Sequence, residues 1–325
     1  MRILLTGGTG FLGRHTAQLL LGQGHAVRLM GRDFAACAGL AAAGAEPFPA
    51  DLRDPAAVDA ACAGVDAVVH AGALSAPWGP AADFHAVNVA GTAALLAACR
   101  RHGVARLVHI SSPAVIFDGG DVRGATEAAP YPRRLSSAYA RSKRRAELLV
   151  RAAGLPAVIL RPKAIFGPGD TALLPRVIAA ARRGRLPQIG DGRNLVDLTY
   201  VENVAHAIGL ALASPAAAGR TYHITNGEHV PLWALIRDVL ARLGLRSRLP
   251  AVSLAAMLAL ATALEAAARV TRREPPLTRY TVGVLARTQT YDIAAARRDL
   301  GYAPLVSVAD GVERTVAALS PLCSP

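Results

Sequence analysis

Lysine is almost absent from this chain: of 36 basic residues only Lys143 and Lys163 are lysine, and the rest are arginine. The arginines are scattered along helical stretches with no long basic run, and aromatic residues make up only 5% of the sequence. Nucleic-acid binding through charge and stacking is therefore not expected, although the formal net charge is +13. Cysteine is scarce as well. Cys37, Cys62, Cys99 and Cys323 lie far apart, in no C-x-x-C pair and no Cys/His spacing that suits zinc, so neither a disulfide framework nor a metal site is expected. No charged leader or cleavage site precedes the strand-like Met1 to Thr6, which predicts a cytoplasmic protein. One uncharged segment, Leu249 to Leu264, is shorter than the roughly 20 residues of a membrane span. Followed by Arg269, Arg272 and Arg273, it reads either as a buried or subunit-packing helix or as an interfacial one, which leaves peripheral membrane contact through residues 249–268 open.

What is present is a rhythm. Short apolar runs at Ile3 to Thr6, Ala26 to Met30, Ala45 to Pro49, Ala67 to His70, Leu107 to Ser111 and Ala157 to Leu160 alternate with helical patterns near 11–22, 55–63, 83–102 and 138–153. Repeated βαβ units with right-handed crossovers predict an α/β fold with a doubly wound parallel sheet of Rossmann type. After about residue 165 the pattern breaks into Gly/Pro-punctuated segments, with helices expected near 171–183, 201–213 and 231–243. This divides the chain into a dinucleotide-binding domain, 1–165, and a smaller substrate-binding part, 166–325, some of whose segments return to the Rossmann core.

Gly7, Gly10 and Gly13 follow the first strand and open a helix. Such spacing serves a tight turn, close approach of backbone to a pyrophosphate, and close packing of helix on strand. By chance it would occur about 0.3 times in a chain with this much glycine, so its weight comes from lying between strand and helix. A carboxylate at the end of the second strand normally accepts the ribose hydroxyls; Met30, Gly31 and Arg32 stand there instead. Arg32 favours a 2′-phosphate, hence NADP(H), while Asp33 beside it keeps NAD(H) open.

Tyr139 and Lys143 are four residues apart in a helical stretch and share a face. The pair would arise by chance about 0.04 times in this composition. An ammonium beside a phenol favours the phenolate and brings Tyr139 toward use as an acid or base. Ser112 closes the fifth strand at its carboxyl end, where it can donate to a substrate oxygen, or simply cap the turn before Pro113.

These motifs, together with Asp51-Leu52, Asn88 to Thr92, Arg161-Pro162 and Gly167 to Asp170, occur in an order that resembles the extended short-chain dehydrogenases over essentially the whole chain. Ser111 to Val115, Gly190 to Asp197, Tyr222 to Glu228 and Glu274 to Arg279 resemble the 3β-hydroxysteroid dehydrogenase branch, and within it the bacterial 2-alkyl-3-oxoalkanoate reductases of olefin synthesis. The resemblance implies that Phe11 and Leu12 contact pyrophosphate and that Asp51 and Leu52 flank adenine. It further implies that Ala71, Gly72, Ala73 and Asn88 line the inner cofactor wall, that Pro162 borders nicotinamide, and that the protein is a homodimer. Ala114 stands where relatives often carry a hydroxyl, and Phe117-Asp118 replaces the Tyr-Gly common in nucleotide-sugar enzymes.

The expected function is hydride transfer between nicotinamide and a 3-oxo or 3-hydroxy group on an apolar small molecule. Ser112, Tyr139 and Lys143 are the catalytic candidates, Trp78 the apolar wall, and Lys163 or Arg193 the cation for a substrate carboxylate. Two alternatives stay open: a nucleotide-sugar epimerase or dehydratase, and a non-catalytic NADP(H)-sensing protein.

Overall fold

A computed structural model describes residues 1–171, 174–246 and 248–319. Cys323 lies outside them; Cys37, Cys62 and Cys99 are buried free thiols. The main sheet has seven parallel strands: β1 (Arg2–Thr6), β2 (Ala26–Gly31), β3 (Glu46–Pro49), β4 (Ala67–His70), β5 (Arg106–Ile110), β6 (Ala157–Pro162) and β7 (Thr221–Ile224). Their order is β7-β6-β5-β4-β1-β2-β3, so the direction of winding reverses between β1 and β4. A ligand crevice opens at such a reversal, beyond the carboxyl ends of the strands.

The central strands are rich in buried apolar residues because helices cover both faces. Ile3 and Leu5 of β1 join Leu20 of α1 (Phe11–Gly22) and Val204 and Ile208 of α5 (Val201–Ala213) in one core. Leu4, between them, points to the other face, where Val58 of α2 (Pro55–Cys62), Leu95 of α3 (Gly91–Arg101) and Val150 of α4 (Ala138–Ala152) pack. A smaller sheet joins residues 122–125 to the later strands 195–197, 229–231 and 289–291. Against it lies an apolar cluster around Trp233 that includes α6 (Leu254–Thr271) and α7 (Arg279–Ala286).

Three features differ from expectation. β7 was not expected as a strand; it is short and mixed in polarity, and it is buried by pairing with β6. The helix expected over 83–102 contains a wide π-turn, His85–Ala90, between Ala81–Phe84 and α3. The uncharged segment from Leu249 is not one helix: 251–252 is a strand, Ser253 caps Ala256 N, and α6 runs on through Glu265 to Thr271. Among the described residues two helical stretches, Ala81–Arg101 and Leu254–Thr271, are long and apolar enough to cross a membrane by length and composition alone, and they differ in burial, 50% against 22%.

Candidate active site

At the carboxyl end of β1, Gly7 takes φ +68°, and a Cβ there would meet Gly72 Cα at 2.7 Å across the crevice. A Cβ on Gly13 would collide with the Gly7 carbonyl, so α1 can lie this close to the turn only with glycine. Gly10 caps α1 without a side-chain hydrogen bond, leaving the helix N-terminus open to an anion. Phe11 and Leu12 form its first turn, half-buried, with the Phe11 ring set edge-on to His15. This cradle suits the pyrophosphate of a dinucleotide.

Around it the expected cofactor residues take definite places. Leu52 is buried as a wedge, touching the space any side chain on Gly72 or Gly91 would need. Asp51 is committed to Arg53 through two side-chain bonds of 2.7 and 3.0 Å, which, against the opposing effect of burial, hold its carboxyl at about 2. Arg32 is exposed at the end of β2, with its guanidinium 3.9 Å from Asp51. Asp33 is also exposed and accepts from Ala35 N, so its carboxylate is occupied in the turn. Arg14 donates to the Thr9 carbonyl beside this edge and lines, with His15, Gln18, Ala36 and Pro168, a cavity of about 680 Å³ on the outer side of α1.

Ala71, Gly72 and Ala73 follow β4 along the crevice, Gly72 N donating to Thr6 Oγ1. Asn88, expected on that wall, has its amide hydrogen-bonded within the protein. Its Oδ1 accepts from Leu74 N at 2.7 Å, and Nδ2 donates to the Leu74 carbonyl and to Ser142 Oγ. The π-turn carrying Asn88 thus ties the 71–75 segment to α4, a common use of such turns near functional sites.

α4 begins at Ser137, whose side chain accepts from Ala140 N, and its first turn carries Tyr139. The Ser112 and Ser75 side chains lie near the Tyr139 hydroxyl, and both act to lower its pKa. Ser112 caps the turn after it, accepting from Ala114 N at 3.2 Å, which is one of the two roles weighed for it. The expectation that Lys143 would lower the Tyr139 pKa is not met. Burial raises it, with only the two serines opposing, because burying a phenolate is costly and the ammonium is directed elsewhere. Lys143 is 3% exposed and donates to the Ile110 carbonyl; burial brings it down to about 8, against the pull of Glu147.

One turn further along α4 stands Glu147, fully buried and paired with Arg161 of β6 at 2.5 Å, while Ser111 Oγ and Tyr131 OH donate to the same carboxylate. Burial works to raise its pKa, but Arg161 and these donors hold it below the usual carboxylate range. The spacing Tyr139, Lys143, Glu147 put all three on one helix face and could have flagged the pair.

Residues far apart in sequence complete the site. Tyr280 of α7 is pushed up by burial and by nearby Tyr139, and its ring meets that of buried Phe117 at 6.4 Å. Ser75 and Tyr280 carry no motif, which is why the sequence did not reveal them. Pro162 ends β6, and Lys163 follows it, buried, donating to Gln289 Oε1 at 2.6 Å and brought to about 8 by burial against Asp197. Trp78 is half-buried in the segment that carries Ser75. Arg193 is exposed on the 190–194 turn, where its backbone N–H bonds Asp191. Among the described residues no group of His, Cys, Asp and Glu could hold a metal ion. The assembled groups can donate two hydrogen bonds to one oxygen and deliver a proton to it, beside a cradle for a dinucleotide.

Comparison with known proteins agrees with this geometry. Residues 3–225 match the model of the NAD dependent epimerase/dehydratase family. The chain is 40% identical over 330 residues to a 2-alkyl-3-oxoalkanoate reductase of Stenotrophomonas maltophilia (strain K279a), covering 98% of this chain and 99% of that protein. It is 34% identical to a decarboxylating sterol-4-alpha-carboxylate 3-dehydrogenase of Mus musculus, covering 95% and 88%. The crystal structure of a dTDP-glucose 4,6-dehydratase double mutant from Streptomyces venezuelae with NAD bound superposes with a TM-score of 0.78 at 29% identity, covering 98% and 97%.

Proposed function

The chain belongs to the NAD dependent epimerase/dehydratase family, and we propose that it is an oxidoreductase that reduces a 3-oxo group on an apolar acid, with NADP(H) preferred over NAD(H). The observation that carries this is Tyr139 and buried Lys143 one turn apart on α4, with Lys143 donating to the Ile110 carbonyl and Ser112 following at the end of the same strand, near the phenol. Gly7, Gly10, Gly13 and the open α1 N-terminus would hold the dinucleotide phosphates, Lys143 and Pro162 its nicotinamide end, and Arg32 a 2′-phosphate. When bound, the cofactor supplies the hydride.

The chain's own groups manage the oxygen. Ser112 Oγ–H donates to the carbonyl oxygen, and Tyr139 gives its proton to that oxygen as it gains charge. The raised Tyr139 pKa keeps the phenol protonated, the state an acid needs. The Phe117 and Tyr280 rings, packed edge to face, would give an apolar wall that excludes water, and Trp78 is the further apolar candidate for it.

The substrate class follows from two relatives. Both names, a 2-alkyl-3-oxoalkanoate reductase and a sterol-4-alpha-carboxylate 3-dehydrogenase, place a carboxylate on the carbon next to C3. A long-chain 2-alkyl-3-oxo acid fits an apolar wall and a cation; Lys163, at the strand-end rim after Pro162, is the better-placed cation, because Arg193 lies on an exposed turn. The test is NADPH oxidation with a panel of 3-oxo acids, sterols and nucleotide sugars. Turnover confined to 3-oxo acids supports the proposal, and bound NAD(H) cycling on a nucleotide sugar without net oxidation would overturn it in favour of an epimerase or dehydratase.

A further inference from the structure

We propose that α6 docks this protein, flat, on an anionic lipid surface. Met257, Ala261, Glu265 and Ala268 form a stripe at helical spacing that is buried against the body of the protein. Glu265 accepts from Arg279 N at 2.7 Å and from its Nε at 2.9 Å, which bolts the helix to α7. A helix held along one side in this way cannot insert across a bilayer; it can only lie in the interface.

The opposite face is unpartnered. Ala259, Leu260, Ala263, Ala267 and Val270 are exposed there, Leu260 by 49% and Val270 by 84%. Over 18 residues the helix is about 27 Å long, and its two ends carry cations. At the start, Gln188 N donates to the Pro250 carbonyl, and this brings the loop of Arg185 beside that of Arg246 and Arg248. At the end stand Arg269, Arg272 and Arg273. All six are exposed, and among the described residues none is ion-paired. The neighbouring acids Asp238, Glu265 and Glu274 are taken by Arg242, Arg279 and Arg176.

An apolar strip between two cationic ends is complementary to acyl chains and phosphate headgroups. A second copy is the poorer occupant, because a two-fold contact on this strip would bring arginine clusters toward one another. Docking would also serve catalysis: α7, packed on α6, carries Tyr280 next to Tyr139, so an apolar acid could pass from the lipid to the reacting phenol. That consequence alone rests on the proposed function; vesicle binding, read without substrate, does not.

The experiment is co-sedimentation of the full chain with vesicles of phosphatidylcholine alone or mixed with phosphatidylglycerol. Binding is expected to the mixed vesicles only, to weaken with salt, and to fall about tenfold or more in L260E/V270E and in R272E/R273E. Both variants should keep the parent's thermal unfolding and its turnover of a soluble short-chain ketone. No binding, equal binding to neutral vesicles, or binding unchanged in the variants overturns the proposal. So does a loss of oligomer mass in L260E/V270E, which would give the face to a second copy.

Discussion

The ammonium of Lys143 is tethered to the carbonyl of Ile110, 2.5 Å away and two residues before Ser112. The catalytic helix and the end of β5 are thereby joined through a buried cation that burial brings to about 8. Lys143 is charged below that pH and neutral above it. Ketone reduction needs the charged lysine and the protonated Tyr139, whose own raised pKa keeps its proton at higher pH. The reductive rate should therefore fall as pH rises through about 8. In Lys143→Met that limb should vanish from the pH–rate profile, leaving a low, flat rate.

Tyr139→Phe removes the only proposed proton donor and none of the phosphate cradle. Turnover should fall by about 10²- to 10⁴-fold. NADPH affinity, measured by fluorescence titration, should stay near normal, and retained turnover would falsify the assignment.

The Glu147–Arg161 pair makes a stability prediction. Glu147→Ala leaves a fully buried guanidinium without its counter-charge, a change that typically costs about 3–5 kcal/mol. Because the folded carboxyl titrates below its ordinary value, its contribution is complete above 4.5 and is lost as pH falls through the lower folded value. Urea unfolding across that acid range should show the slope in the parent and its loss in Glu147→Ala.

Cofactor choice is tested at the end of β2. Arg32→Ala should raise KM for NADPH about tenfold and leave KM for NADH within about twofold, since the guanidinium would meet a phosphate only in the first. Equal effects on both would assign Arg32 to the Asp51 neighbourhood and not to the 2′-phosphate.

The six strands from β1 to β6 were legible because each is an apolar run bounded by turns, and the Gly7-Gly10-Gly13 turn and the Tyr139/Lys143 face declared themselves by spacing. β7 was not legible: Thr221, Tyr222, His223 and Ile224 have no marked pattern and become a strand only through β6. Tyr280 was hidden because its tie to Tyr139 spans more than half the second part of the chain. The depressed phenol expected from Lys143 failed because spacing tells which side chains share a face and not which carbonyl the ammonium finds.

Placing β7 on the outside of β6 means that the sheet closes only after residue 224 has been made. A fragment ending at 165 would leave β6, buried along its whole length in the full chain, as a bare edge, and would lack α5 over the β1 core. Such a fragment invites self-association, and during synthesis the nucleotide cradle would have to wait for the later chain before becoming durable.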